Sequence, residues 1–256
     1  MWWGITIGAI WYGAIIGTTR SLALPAEVWP IYALSMIAEV GYVGLISAGY
    51  SRGDLSQVYP IARGSPPLLI ALWSALFLGE RLPAAGYAGV AALIVGVYIS
   101  SLPSPRDLLS PLAALSNRPA QLALLAAVCV SIYSVLDKTA VSLVDPLVYN
   151  FWVYVGLSVG YAAFVWRGPR REGTLAEWRA NWPLVFVGSG ATVGSYMLAL
   201  VAMSTAPASY VGAVRATSIV IGALLGWLAL KEAFGVMRVI AAVIIVAGLA
   251  AIALAA

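Results

Sequence analysis

The amino-acid sequence predicts an all-α membrane protein of about nine transmembrane helices in two inverted repeats, four plus five. Three observations predict it: a composition too apolar for water, a chain cut into runs of bilayer-spanning length, and an internal repeat. Of the 256 residues, 62% are hydrophobic and 9% charged, against roughly half and a quarter in soluble domains. At about 20 apolar residues per span, little chain is left for a soluble domain. The start, Met1-Trp2-Trp3-Gly4, has no basic stretch, and no small-residue cleavage site closes the first apolar run, so it reads as a span and not as a removable signal peptide.

Pro, Gly and charged breaks divide the chain into Trp2 to Thr19, Val28 to Tyr50, Leu55 to Leu78, Ala84 to Ser101, Ala120 to Val141, Pro146 to Trp166, Trp182 to Met203, Ala208 to Leu230 and Val236 to Ala255. The polar stretches Leu102 to Arg118 and Arg167 to Asn181 read as surface loops. The first separates two halves, residues 1–101 and 119–256, with 102–118 as the connecting loop. In the third run Pro60, Gly64, Pro66 and Pro67 predict a kink or break near its middle. Trp29, Trp166 and Trp182 fall at span ends as interface anchors.

Displacing the chain by 153 positions brings Trp29-Pro30 onto Trp182-Pro183, Val40-Gly41 onto Val193-Gly194, and Ser56 and Val58 onto Ser209 and Val211. After a one-residue gap Arg63 meets Arg215, Glu80 meets Glu232, and Gly96 meets Gly248. Each matching helix lies five crossings after its partner. An odd number of crossings reverses direction, so the halves are expected to be antiparallel, an arrangement that lets a midplane site open to either face.

The run GDLSQVYPIARGSPPLLIALWSALFLGERL, Gly53 to Leu82, resembles the signature region of the drug/metabolite transporter superfamily in its EamA-type branch. It recurs more weakly as APASYVGAVRATSIVIGALLGWLALKEAF, Ala206 to Phe234. The resemblance covers nearly the whole chain and implies ten helices, five plus five. The nine counted here depart from that pattern: Ala120 to Val141 has no counterpart in the first half, so the usual first helix is expected to be lacking.

Charge bias sets orientation. On the side of the amino terminus lie Arg52, Arg106, Arg118, Arg167, Arg170, Arg171, Arg179, Lys231 and Arg238; the other side has Arg20, Arg81 and Lys138. The count places the amino terminus in the cytoplasm, whereas the resemblance implies the reverse.

Ionisable groups within spans are costly and mark candidate sites. Arg63 and Arg215 occupy matched positions and approach the midplane from opposite faces, so they are candidates to receive an anionic group; snorkelling or carbonyl clamping is the competing reading. Glu39, mid-span and matched only by Thr192, is the candidate proton carrier. Asp137 and Lys138 are adjacent, hence about 100° apart on a helix, so that one can line a path while the other anchors. Tyr133 shares the face of Asp137 four residues on. Tyr50, Tyr59, Asn150 and Tyr154 are hydrogen-bonding candidates for a polar substrate, whereas Glu80 and Glu232 read as framework or capping charges.

No histidine is present and Cys129 is the sole cysteine, which removes the commonest metal ligand, the commonest general base and a thiolate cluster. No metal or cofactor is expected. The net charge of +4 is scattered without a basic cluster, which disfavours nucleic acid as a partner. No P-loop pattern is present, so ATP is not used by that route. The expected function is a non-enzymatic secondary transporter of a small polar metabolite, an amino acid or related zwitterion or anion, in the cell membrane by alternating access. An exporter or flippase of amphipathic drugs or lipid headgroups is the alternative, and an intramembrane lipid-phosphate enzyme a remote one. The expected partners are the small-molecule substrate and the lipid bilayer, and a homodimer is compatible with the sequence. The repeat predicts that cysteines placed at Gly79 and Lys231, in a Cys129→Ser background, react with an impermeant thiol reagent from opposite sides of the membrane. Labelling of both from one side contradicts the inverted repeat.

Overall fold

The computed structural model describes residues 2–53, 55–100, 117–166, 170–218, 221 and 236–255. Its helices are α1 (Trp2–Thr19), α2 (Val28–Tyr50), α3 (Leu55–Gly64), α4 (Pro66–Phe77), α5 (Ala84–Ser100), α6 (Arg118–Val141), α7 (Pro146–Val165), α8 (Arg170–Thr205), α9 (Ala208–Ala216) and α10 (Val236–Ala255). No strand occurs among the described residues. The protein is thus all-α, and α2, α6, α7 and most of α8 are long and apolar enough to cross a membrane, with shorter apolar helices between them. The continuation of α9 toward Leu230, with Lys231 and Glu232, lies outside the described residues, as do residues 102–116 of the connecting loop.

Helix ends follow from local chemistry. At α7 the Asp145 side chain accepts the Leu147 amide at 2.8 Å and Pro146 fills the first position, where a missing N–H costs nothing. At α6 the Asn117 side-chain oxygen accepts the Ala120 amide at 3.0 Å. The expected interruption of the third run falls at Ser65, between α3 and α4. Ser65 keeps helical dihedrals (φ −78, ψ −34), and its amide still bonds the Ile61 carbonyl at 3.2 Å. The break is therefore a proline kink, in which Pro66 and Pro67 offer no amide to the carbonyls of Ala62 and Arg63.

The loop expected over Arg167 to Asn181 is corrected by the structure: helix begins at Arg170 and runs to Thr205, with one non-helical residue, Asn181 (φ −130, ψ 21). Polarity suggested a loop, but the segment 170–180 carries good helix formers and an acidic residue, Glu172, in its first turn. Pro183 then forces the chain to restart, and the Asn181 amide folds back on Glu177 at 3.0 Å. Trp3 of α1 docks this polar helix, bonding the Thr174 carbonyl at 2.8 Å and lying 5.0 Å from the Trp178 ring.

The chain forms two compact units, Met1–Val40 with Leu136–Thr205, and Gly41–Val135 with Ala206–Ala256. Each draws on both sides of the connecting loop. In the first unit α1 packs on α7 and α8 through glycines, Gly8 against Val193 and Gly13 against the Phe151 ring. Polar pairs reinforce these contacts: Thr6 with Ser158 at 2.7 Å, and the Trp11 indole with Ser189 at 2.9 Å. Gly156 meets Met36 and Tyr32 while Gly160 meets Val40, so α2 and α7 run parallel there.

In the second unit α5 and α10 approach until their backbones touch. A Cβ on Gly89 would fall 2.8 Å from the Gly248 carbonyl oxygen, and one on Gly96 3.1 Å from that of Ala241. These two contacts run in opposite senses along the helices, which makes the pair antiparallel. Val90, Leu93 and Val97 of α5 close a core with Ile245 and Ile252 of α10 and Tyr210 and Ala213 of α9. A second core joins Ile46 of α2 with Val58, Ile61 and Ala62 of α3 and Ala120, Ala123 and Ala126 of α6.

Glu80 completes this unit. The N-cap of α9 is Pro207, whose side chain accepts no hydrogen bond. The Glu80 carboxylate supplies the missing acceptor, taking the Ala208 amide at 2.7 Å, the Ser209 amide at 3.3 Å and the Ser209 hydroxyl at 2.8 Å. Gly79, with φ 64, turns the chain so that this carboxylate follows α4. The capping role read for Glu80 is the one observed.

Beside its apolar cores the chain exposes large apolar side chains such as Ile37, Phe77, Leu184, Val187 and Leu198, and it buries the polar Ser35, Ser131, Ser134, Asp137, Asn150 and Ser189. That distribution suits a hydrocarbon solvent. Gly89→Ala should lower stability by about 1–3 kcal/mol, because the new methyl meets backbone that cannot yield. Gly44→Ala, whose Cβ meets nothing within 4 Å, should be neutral or slightly stabilising. Thermal unfolding of the two variants in detergent distinguishes these outcomes.

Candidate functional site

The first unit contains a carboxylate enclosed by hydroxyls. Asp137 on α6 is fully buried. Its Oδ1 accepts the Ser35 hydroxyl of α2 at 2.6 Å and the Tyr149 hydroxyl of α7 at 2.7 Å, and its Oδ2 accepts the Tyr196 hydroxyl of α8. Three helices thus each bring one donor to a side chain on a fourth. In an apolar environment an unmet carboxylate is prohibitive, so these contacts are the condition for keeping Asp137 there.

Lys138 points elsewhere, as adjacency on a helix requires. Its ammonium donates to the Met203 carbonyl in the last turn of α8, where backbone acceptors have no intrahelical partner and the helix dipole favours a cation. Glu39 is buried one turn beyond Ser35 on α2, and its own carbonyl accepts the Tyr161 hydroxyl at 3.2 Å. Tyr149 lies within electrostatic reach of both Asp137 and Glu39.

Asn150 follows Tyr149 on α7 and is fully buried, yet neither its amide nitrogen nor its oxygen has a hydrogen-bond partner. Each such group costs about 1–3 kcal/mol to leave unmet. The Tyr12 side chain of α1 lies beside the amide, but its hydroxyl is turned to the Leu147 carbonyl at 3.1 Å.

The remaining candidates belong to the second unit. Arg63 and Arg215 stand in the last turns of α3 and α9, both exposed. A cation at that end of a helix complements its dipole, a structural role that accompanies any binding role. Tyr133 is buried on α6, Tyr50 is exposed at the end of α2, and the Tyr59 side chain lies outside the described residues. The structure therefore brings Asp137, Lys138, Asn150 and Glu39 into one unit and assigns Arg63, Arg215, Tyr50, Tyr59 and Tyr133 to the other. Sequence reasoning missed Ser35, Tyr149 and Tyr196. Ser35 precedes Glu39 by one turn and Tyr149 adjoins Asn150, which are weak signals, while Tyr196 has none. No group of three or more potential metal ligands occurs among the described residues.

Residues 118–254 match the family model of the EamA-like transporter family. The chain belongs to that family. It is accordingly a membrane protein of the drug/metabolite transporter superfamily, and α6, which carries Asp137, opens the matched region. A solved structure described as "Crystal structure of protein" is similar in fold, with a TM-score of 0.77 at 21% identity over 99% of this chain and 85% of that one. No curated protein matches the chain.

In this EamA-like transporter, Asp137→Asn leaves a single carbonyl oxygen for three hydroxyl donors and should cost about 1–3 kcal/mol. Tyr196→Phe should cost less in the Asp137→Asn background than in the parent, because both changes break one network. A double-mutant cycle on thermal stability checks this; strict additivity contradicts it.

Proposed function

We propose that the chain is a secondary transporter that moves a small polar metabolite, an amino acid or related zwitterion or anion, across the cell membrane by alternating access. The observation that carries the proposal is the fully buried Asp137 with its three hydroxyl partners, in a chain of the EamA-like transporter family. A purely structural bundle in a membrane has no need of such a group, and intramembrane carboxylates are characteristic of substrate and ion paths.

The inverted repeat supports the mechanism. Helices α3 and α9 begin at Leu55 and Ala208, matching the offset of 153 found in the sequence, and α5 and α10 begin one gap later in the same register. The α5–α10 contacts are self-complementary: Gly89 meets Gly248 and Gly96 meets Ala241, and each pair is the image of the other under the repeat. Two-fold related halves with opposite directions give two conformations of comparable energy, which alternating access requires. In this reading the amino terminus is cytoplasmic, Arg63 and Arg215 attract an anionic part of the substrate, and Tyr50, Tyr59, Tyr133, Asp137, Lys138 and Asn150 supply polar contacts. Glu39 carries the coupling proton.

The test is flux in liposomes of purified protein. A pH gradient should drive accumulation of a chemically unchanged solute, and Glu39→Gln should abolish that accumulation while leaving solute exchange intact. Accumulation at the parental rate in Glu39→Gln removes Glu39 from the coupling step, and absence of all solute flux from the parent removes the transporter reading.

A further inference from the structure

Asn150 is held at an energetic disadvantage that packing does not explain. Among the described residues it is the one side chain with two buried polar atoms lacking hydrogen-bond partners. A leucine has the same branched side-chain skeleton without that disadvantage. The amide lies on α7 close to its amino-terminal end, which the Asp145 cap, Pro146 and the Arg20–Asp145 ion pair hold in place. What lies beside it is α1, and α1 rests on its neighbours through Gly8 and Gly13, with the Tyr12 hydroxyl committed to the Leu147 carbonyl. Three hydrogen bonds tie α1 to α7, the Trp2 indole to the Ser158 carbonyl at 2.9 Å, Thr6 with Ser158 at 2.7 Å and Tyr12 to the Leu147 carbonyl at 3.1 Å, and at about 0.6 kcal/mol each between membrane helices they can be exchanged for those of a ligand.

We infer that Asn150 is a recognition site for a planar group carrying a hydrogen-bond donor and acceptor side by side, a carboxamide or lactam edge, which it meets when α1 moves off α7. An asparagine amide presents C=O and N–H in one plane, and the complement that satisfies both is another amide edge. The same pairing lets asparagine read the edge of a nucleobase bidentately. Two sources carry that chemistry, open-chain carboxamides and cyclic lactams of the nucleobase type. The inference deepens the transport reading above and depends on it only for the route by which the ligand reaches the amide.

Thermal shift of the detergent-purified protein tests the edge directly. Glutamine and nicotinamide represent the open carboxamide and uracil the lactam. Methionine, 3-acetylpyridine and 1,3-dimethyluracil are the matching probes without an N–H beside the carbonyl. At least one edge-bearing probe should raise the unfolding temperature at millimolar concentration, its matched control should not, and the responding class identifies the source. Asn150→Leu should show no response to that probe. A response that survives the substitution, equal response to the controls, or no response in the parent each overturns the inference. In liposomes, Asn150→Cys with Cys129→Ser should react with a small methanethiosulfonate within minutes, and failure to react overturns the movement of α1. Solute flux by the parent in the same liposomes is read separately, so a failed edge with retained flux removes Asn150 alone, while loss of flux removes the transport reading.

Discussion

A carboxylate among apolar helices persists only where other helices bring hydrogens to it, and in the first unit that requirement governs everything near Asp137. Ser35, Tyr149 and Tyr196 come from α2, α7 and α8 and converge on one side chain of α6. Water cannot replace a lost partner inside a bilayer as it does at a soluble surface. The geometry of four helices is therefore coupled through a single acidic group. The neighbouring Lys138 works to the same end by a different rule, fastening α6 to the free carbonyl end of α8. Sites of this kind combine rigidity with sensitivity: a change in what the carboxylate binds is felt by every helix that donates to it.

Closeness of backbones is the main feature of the α5–α10 pair in the second unit. Between α5 and α10 the bare glycines Gly89, Gly96 and Gly248 let backbone approach backbone and receive the side chains of Ile252, Ile245 and Leu93, and this close packing replaces the hydrophobic drive that is absent in lipid. Glu80 accepts three hydrogen bonds where backbone geometry leaves a gap, since Pro207 begins α9 without a capping side chain. A remote carboxylate performs a job usually done by the residue next to the helix.

How much of this was legible from sequence depends on the length scale of the cause. Span limits such as Val28, Ala84, Pro146, Ala208 and Val236 are set by prolines, polar neighbours and apolar run length, all local, and the sequence reading places them where the structure does. The helix over residues 170–180 escaped because an amphipathic polar segment looks like a loop until Trp3, far away in the chain, docks on it. Asp137 stood out as a charge in an apolar run, but its partners did not, since Tyr196 is one tyrosine among thirteen and only the packing of α8 selects it. Asn150 was legible as a polar residue near a helix start; that both its amide atoms would lie unmet was not, because that depends on where Tyr12 turns.

Gly79 shows how isolation and importance separate in such a protein. Apart from its chain neighbours no atom lies within 4 Å of the place where its Cβ would be, so a survey of packing would score the position as permissive. Its φ of 64 is nevertheless one that other L residues adopt only with strain. The strain would be relieved by swinging the next residue away, and that residue is Glu80. An alanine at an empty surface turn would therefore act at a distance, uncapping a helix more than a hundred positions later, and maps of mutational tolerance drawn from neighbour density would misplace the lesion.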